Sequence, residues 1–190
     1  MENNFKDPLE YFLHIPHIID NILSHLSVQD LLNVATVNLA YYKFVVESKI
    51  YGNKVKLKVT ERNFDDLVRS DRCYKNIKLS SISNCDQLLH KFSEIKYLEL
   101  ENGEFSTAKF RTIIEAFLSL EELILSDLKF EVLNLCNVEN LKNLSNLKSI
   151  KIKAIHEELV HPLLIQCSNL KRLSIKNLSR KAPIDEILKL

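Results

Sequence analysis

The sequence contains no tryptophan and only two glycines, Gly52 and Gly103, in 190 residues. Glycine-rich phosphate loops and dinucleotide-binding turns need several glycines to let the backbone approach a ligand, so nucleotide chemistry of that kind is excluded. The four cysteines, Cys73, Cys85, Cys136 and Cys167, are separated by 12, 51 and 31 residues, without the paired C-x-x-C of zinc ribbons or redox motifs. They read as free, buried thiols, and no histidine signature accompanies Cys73 or Cys167 to make either one a nucleophile. Charge of one sign is also lacking: 26 Lys and Arg against 25 Asp and Glu leave a formal +1, so no global field draws the chain to nucleic acid or membrane. No window approaches the roughly 18 apolar residues of a membrane span, and the start MENNFKDPLEYF has neither the basic nor the apolar region of a signal peptide. These absences predict a soluble intracellular chain, placed in the cytoplasm and also the nucleus, in which the N-x-S sequons at Asn143 and Asn177 carry no weight.

Metal ligation is not predicted either. His156 and His161 flank a Glu-Glu pair but lie five residues apart, about 140° round a helix, instead of the four that share a face. His14 and His17 have Pro16 between them, which disrupts a helix, and no cysteine or carboxylate ligands nearby. No metal, no cofactor and no catalytic residue is expected.

What the chain does have is a recurring apolar frame. Val55 to Val59 alternates apolar and polar with the period of a strand. The frame then returns at Tyr74, Ile77, Leu79, Ile82; at Ile95, Leu98, Leu100; at Leu120, Leu123, Leu125, Leu128; at Leu147, Ile150, Ile152, Ile155; and at Leu170, Leu173, Ile175, Leu178. Successive frames start 21, 25, 27 and 23 residues apart, inside the 20 to 29 residues typical of leucine-rich repeats. Helix-compatible stretches lie between them: Phe64 to Val68, Asp86 to Phe92, Phe110 to Leu118, Val138 to Leu144 and Glu157 to Gln166. The ninth frame position holds Ile82, Gly103, Leu128, Ile155 and Leu178 in place of asparagine, so apolar packing is expected to hold the turns there. Ala182 to Leu188, with Pro183 near its start, reads as the beginning of a further helix, either in a truncated array or folded over an open end.

Alternation along the strands predicts an outward face carrying Lys56 and Lys58, Lys78 and Ser80, Glu99 and Glu101, Ile124 and Ser126, Lys151 and Lys153, Ser174 and Lys176. That is a basic block, an acidic strip and a second basic block. Lys56, Lys58, Lys78, Glu99, Glu101, Ile124, Lys151, Lys153 and Lys176 are therefore the candidate substrate-binding residues. Lys58 and Lys151, four strands apart, would stand roughly 19 Å from one another, beyond the Debye length of about 8 Å. Such blocks act as separate contacts for an extended partner with acidic, basic and acidic clusters.

Ahead of the repeats, IPHIIDNILSHLSVQDLLNVATVNLAYYKFVVESKIY (15–51) reads as three short helices. Ile18, Ile19, Ile22, Leu23 and Leu26 put apolar character on two faces of the first, one for packing and one for a partner. Ser27 with Asp30 predicts the N-terminal cap of the second, and Leu39 to Ser48 the third. The segment resembles an F-box, the helical module that docks on the Skp adaptor of cullin-based ubiquitin ligases: Ile22-Leu23, Leu26-Ser27, Asp30-Leu31-Leu32, Val37, Tyr41-Tyr42 and Ile50-Tyr51 fall on the family pattern without a gap. Ile15-Pro16 stands one residue closer to the first helix than the family's Leu-Pro, and Tyr41 and Tyr51 replace its tryptophans.

The resemblance implies an α/β chain: a three-helix F-box over residues 1–52, then a leucine-rich-repeat solenoid of five to six repeats over 53–190, a curved parallel sheet with outer helices. It implies a non-catalytic substrate receptor of a Skp-cullin-F-box ubiquitin ligase, with the Skp adaptor, through it a cullin scaffold, and a protein substrate as partners. The adaptor-binding residues carried by the pattern are Pro16, Ile18, Ile22, Leu26, Leu31, Leu32, Val37, Tyr41, Ile50 and Tyr51. The alternative is a leucine-rich-repeat interaction scaffold with no ligase role.

Overall fold

The computed structural model describes residues 15–47, 49–70, 74–81, 86–92, 94–130 and 140–178. They fall into two compact units: residues up to Val55 together with Tyr74, and residues 56–70 together with those from Lys75 onward. Among the described residues no helix is long and apolar enough to cross a membrane. The expectations placed on His14, Cys73, Ile82, Cys85, Cys136 and 182–188 lie outside the described residues.

The first unit is helical, with α1 (Pro16–His25), α2 (Val28–Ala35), α3 (Leu39–Glu47) and α4 (Lys49–Lys54). Pro16 opens α1 at a position where a missing N–H costs no helical hydrogen bond. Ser27 caps α2 in a reciprocal box: its Oγ accepts from the Asp30 N–H at 3.2 Å, and the Asp30 carboxylate accepts from the Ser27 N–H at 3.2 Å. The Ser27 hydroxyl and N–H together hold the Asp30 carboxyl below its ordinary pKa. Ile19, Leu23, Leu31, Ala35 and Val45 form the core, with Leu26, Val34, Phe44, Ile50 and Tyr51 packed against it. Ile50 and Tyr51 thus occupy a fourth short helix beyond the three expected. From its end Lys54 Nζ donates to the carbonyls of Ser24, at 2.7 Å, and Leu26, satisfying acceptors that α1 leaves open.

The second unit is α/β. Its elements are β1 (Lys56–Val59), α5 (Phe64–Arg69), β2 (Asn76–Ser80), α6 (Asp86–Lys91), β3 (Tyr97–Glu101), β4 (Glu104–Phe105), α7 (Thr107–Ala116), β5 (Glu122–Ser126), β6 (Lys129–Phe130), a 3-10 helix (Lys142–Asn146), β7 (Ser149–Lys153), α8 (Glu157–Leu164) and β8 (Arg172–Lys176). Six strands form one sheet in the order β1-β2-β3-β5-β7-β8, parallel throughout, and β4 pairs with β6 in a second, two-stranded sheet. The register aligns the apolar frame. Leu57, Ile77, Leu98, Leu123, Ile150 and Leu173 make one row, and Val59, Leu79, Leu100, Leu125, Ile152 and Ile175 the next. From β2 to β7 every member of both rows is at most 4% exposed, whereas Leu173 and Ile175 on β8 are 51% and 37% exposed.

The connecting helices depart from expectation where a polar side chain intervenes. α7 begins three residues ahead of Phe110 because Ser106 Oγ accepts from the Lys109 N–H at 3.2 Å and starts the helix there. In place of an α-helix reaching Leu144, the described part of that stretch is the 3-10 turn Lys142–Asn146. Its Asn143 amide donates to the carbonyls of Ile114, at 3.2 Å, and Glu115, at 2.8 Å, near the end of α7. Asn146 and Asn169 likewise donate back to the preceding repeat, to Leu118 O at 3.1 Å and Ser145 O at 2.8 Å. An asparagine bridge between turns therefore exists in the last repeats, one residue ahead of the frame instead of at its ninth position. Cys167 is a buried free thiol, pushed up to about 11 by burial.

Five strands are followed by a residue in the left-handed region: Ser81 (φ 54°), Asn102 (52°), Asp127 (53°), Ala154 (50°) and Asn177 (49°). The N–H groups of the first four reach one strand across, to the carbonyls of Glu101 (3.1 Å), Ser126 (3.1 Å), Lys153 (2.9 Å) and Lys176 (3.1 Å). Asn and Asp adopt this conformation at less cost than alanine. Ala154→Asn is therefore expected to stabilise the protein by about 0.5–1 kcal/mol, read as a higher urea midpoint. At Gly103 the demand is for space: a Cβ would overlap the Phe105 ring. Phe105 is buried and pairs across β4–β6 with Phe130, whose ring meets Phe110 edge-on at 5.7 Å. Gly103→Ala should cost about 1–3 kcal/mol by overpacking, with a lowered midpoint in the same titration.

Candidate functional site

The residues expected to meet an adaptor divide into two groups. Ile18 (37%), Ile22 (53%), Leu32 (40%) and Val37 (67%) are exposed, and Leu39 (67%) and Tyr42 (44%) join them. Leu31 is fully buried, and Leu26, Ile50 and Tyr51 pack on the core. Those four support the surface from beneath; an Asp at position 31 would break the helical core instead of probing a contact. Tyr41 is half-buried, and Pro16 supplies the first residue of α1. Leu39, expected only as the start of α3, and Tyr42, expected only as part of the aromatic pair, were not among the candidate adaptor-binding residues.

On the sheet, the positions expected to face outward do line up, but Ser80 and Ser126 among them are buried. Lys58, Lys78, Glu99, Ile124, Lys151 and Ser174 form one row, and Ser80, Glu101, Ser126, Lys153 and Lys176 form the row beside it. The expected separation into basic, acidic and basic blocks does not survive, because the first two neutralise each other. Lys78 Nζ lies 2.8 Å from both Glu99 and Glu101, and Lys56 Nζ lies 3.2 Å from Glu99. Tyr97, one row earlier, donates its hydroxyl to Glu99 at 2.7 Å. Burial works against the charged form of Glu99, but the donors Lys78, Tyr97 and Lys56 outweigh it and hold its pKa at about 2. Lys78 is correspondingly raised by Glu101 and Glu99. At the far side Lys153 lies 3.3 Å from Asp127. Among the described residues Lys58, Lys151 and Lys176 have no ion pair.

A further row, which the sequence reading passed over, runs along the rim where the chain enters each strand. The N–H groups of Lys96, Glu121, Lys148 and Lys171 donate in turn to the carbonyls of Lys75, Lys96, Glu121 and Lys148, at 2.9, 2.8, 2.8 and 2.9 Å. These residues occupy equivalent places in consecutive repeats. Glu121 is shared between Lys96, at 2.9 Å, and Lys148, at 2.6 Å, and hydrogen bonds from Lys148 and Lys96 lower its pKa to about 2. Lys96, Glu121, Lys148 and Lys171 line an open groove of about 540 Å³ with Leu118, Ser119, Asn146 and Asn169. The row's signal in the sequence is the repeated SNLK at 145–148 and 168–171, whose Lys lies outside the apolar frame.

Among the described residues no group of three or more His, Cys, Asp or Glu could hold a metal ion. His156 stands at the N-cap of α8 and His161 inside it. Comparison with protein-family models finds no match, and none of the curated proteins matches the chain.

Glu99 and Glu121 contribute to the acid response. A carboxyl whose folded pKa is depressed stabilises the fold above its unfolded value, here 4.5, and loses that contribution as pH falls toward about 2. Glu99→Gln should destabilise by about 1–2 kcal/mol at pH 7, with the gap from the parent closing as urea titrations are repeated toward pH 2.

Proposed function

We propose that this protein is a substrate-recognition subunit of a Skp-cullin-F-box ubiquitin ligase. In this reading the helical unit is an F-box and the parallel sheet with its crossovers is a short leucine-rich-repeat array. The observation that carries the reading is the apolar surface on the helical unit: Ile18, Ile22, Leu32, Val37, Leu39 and Tyr42 are 37–67% exposed on helices whose core is already filled. Singly scattered exposed leucines are ordinary; six large apolar side chains, each more than a third exposed on one 40-residue unit, support a partner surface there. The Ser27–Asp30 capping box fixes the turn between α1, which carries Ile18 and Ile22, and α2, which carries Leu32. Support for the repeat array comes from the two apolar rows, in register across the six-stranded sheet and buried from β2 to β7.

The chain itself does no chemistry in this role. It holds a substrate close to the ubiquitin carrier, so that the substrate's lysines react at a raised effective concentration. The apolar surface meets the adaptor, and the repeats meet the substrate.

Coexpression with a Skp adaptor should yield a complex that survives purification, with a Kd of about 1 μM or tighter and roughly 1,200–2,000 Å² buried. Ile22→Asp with Val37→Asp should weaken it about 100-fold or more while the circular-dichroism spectrum stays unchanged, since both side chains are over half exposed. Absence of any wild-type complex at micromolar concentrations rules the ligase role out.

A further inference from the structure

We propose that the groove on the strand-entry rim, between Lys96 and Lys171, docks an extended acidic segment of a partner protein. The proposal deepens the receptor reading, on which it rests for the partner being a protein, by naming the chemistry that the sheet unit selects.

Charge is the first ground. Lys96, Lys148 and Lys171 contribute three positive charges to the groove and Glu121 one negative charge, a local +2 in a chain whose total is +1. Lys171 has no ion pair among the described residues, and Lys96 and Lys148 must share one carboxylate. Lys148 and Lys171 sit on adjacent strand entries, about 4.8 Å apart, within the Debye length of about 8 Å, and act as one field; Lys96 stands two entries from Lys148, with Glu121 between them. On the strand face the neutralised Glu99 cluster and Ile124 stand between Lys58 and Lys151.

Shape and rigidity are the second ground. Asn146 and Asn169 donate to the carbonyls of Leu118 and Ser145, which fixes the spacing of consecutive repeats under the groove. Glu121 holds the ammonium groups of Lys96 and Lys148 in place, so a ligand meets them already ordered. From Lys96 to Lys171 the rim crosses three strand spacings, about 14 Å, which an extended segment of about five residues spans with alternate side chains facing the rim. Leu118, 65% exposed at the groove, offers one apolar contact beside the charges.

A single-stranded nucleic acid is a poorer fit, because the groove has no aromatic side chain and no arginine on which bases could stack. An anionic membrane is poorer too, since a recessed groove with one leucine has nothing to insert. Glu121 then acts as an internal competitor that the partner's carboxylates displace from the lysines.

The test is fluorescence anisotropy on the full chain with a labelled peptide, Glu-Ser-Glu-Leu-Glu-Ser-Glu. Wild type should bind it, more weakly as salt rises. Lys148→Glu with Lys171→Glu should lose about tenfold or more, and Lys171→Ala alone, at an exposed side chain with no ion pair among the described residues, about threefold. Glu121→Gln should tighten binding about threefold by removing the competitor, the opposite sign to that of a purely structural ion pair. Lys58→Glu with Lys151→Glu, on the strand face, should bind as wild type. Thermal midpoints of all variants report folding. Undiminished binding by both rim variants, loss confined to the strand-face variant, or capture of RNA or phosphatidylserine vesicles without the peptide would each overturn the proposal. Peptide binding that persists when the adaptor fails to bind would leave the groove standing and remove the ligase role alone.

Discussion

Parallel strands cannot be joined by tight hairpins, and this constraint governs the second unit. Each strand must be left at one end and the next entered at the other, so every repeat needs a crossover, and the crossovers need a common interior to cover. The two rows of Leu and Ile running from β2 to β7 are that interior. Because each strand gives it two side chains, the intervening residues are forced to the opposite face, and the residues just before each strand are forced into line along one rim. The charge rows are thus a by-product of burying the apolar ones.

Stacking repeats also stacks like charges. With strands about 4.8 Å apart, a lysine at the same place in several repeats repels its neighbours, and this chain answers by placing a glutamate in the series. Glu99 does so among the strand-face lysines and Glu121 among those of the rim. Each is held near pKa 2 by more than one lysine, so neither relaxes at physiological pH. Residual positive charge accumulates where the glutamates run out, at Lys151 and Lys176 on the face and at Lys171 on the rim.

Much of the α/β unit was legible in the sequence because period-two alternation and a recurring frame are local signals that the register merely aligns. The candidate sites were less so. Charge signs could be read from Lys56, Lys78 and Glu99, but whether they form blocks or a neutral cluster depends on side chains from three strands converging, and Tyr97 belongs to that cluster from a position outside the apolar frame. In the helical unit, Leu31 and Leu32 are adjacent and chemically alike, yet one is buried and the other 40% exposed. Spacing identifies a two-faced helix; which face the core claims is decided by the helices packed around it.

The left-handed residues after the strands separate two kinds of variation that the chain has to carry. Ser81, Asn102, Asp127, Ala154 and Asn177 turn the backbone at the same place in each repeat, and the first four also donate their N–H groups to the next strand. Up to that pivot, strand length and pairing are held constant. Beyond it the spacing between frames drifts from 21 to 27 residues with no change of register. Insertions and deletions are thereby channelled into the crossovers, and a whole repeat cut at two successive pivots is an exchangeable cassette whose loss or duplication would shift the length of the sheet without disturbing its pairing.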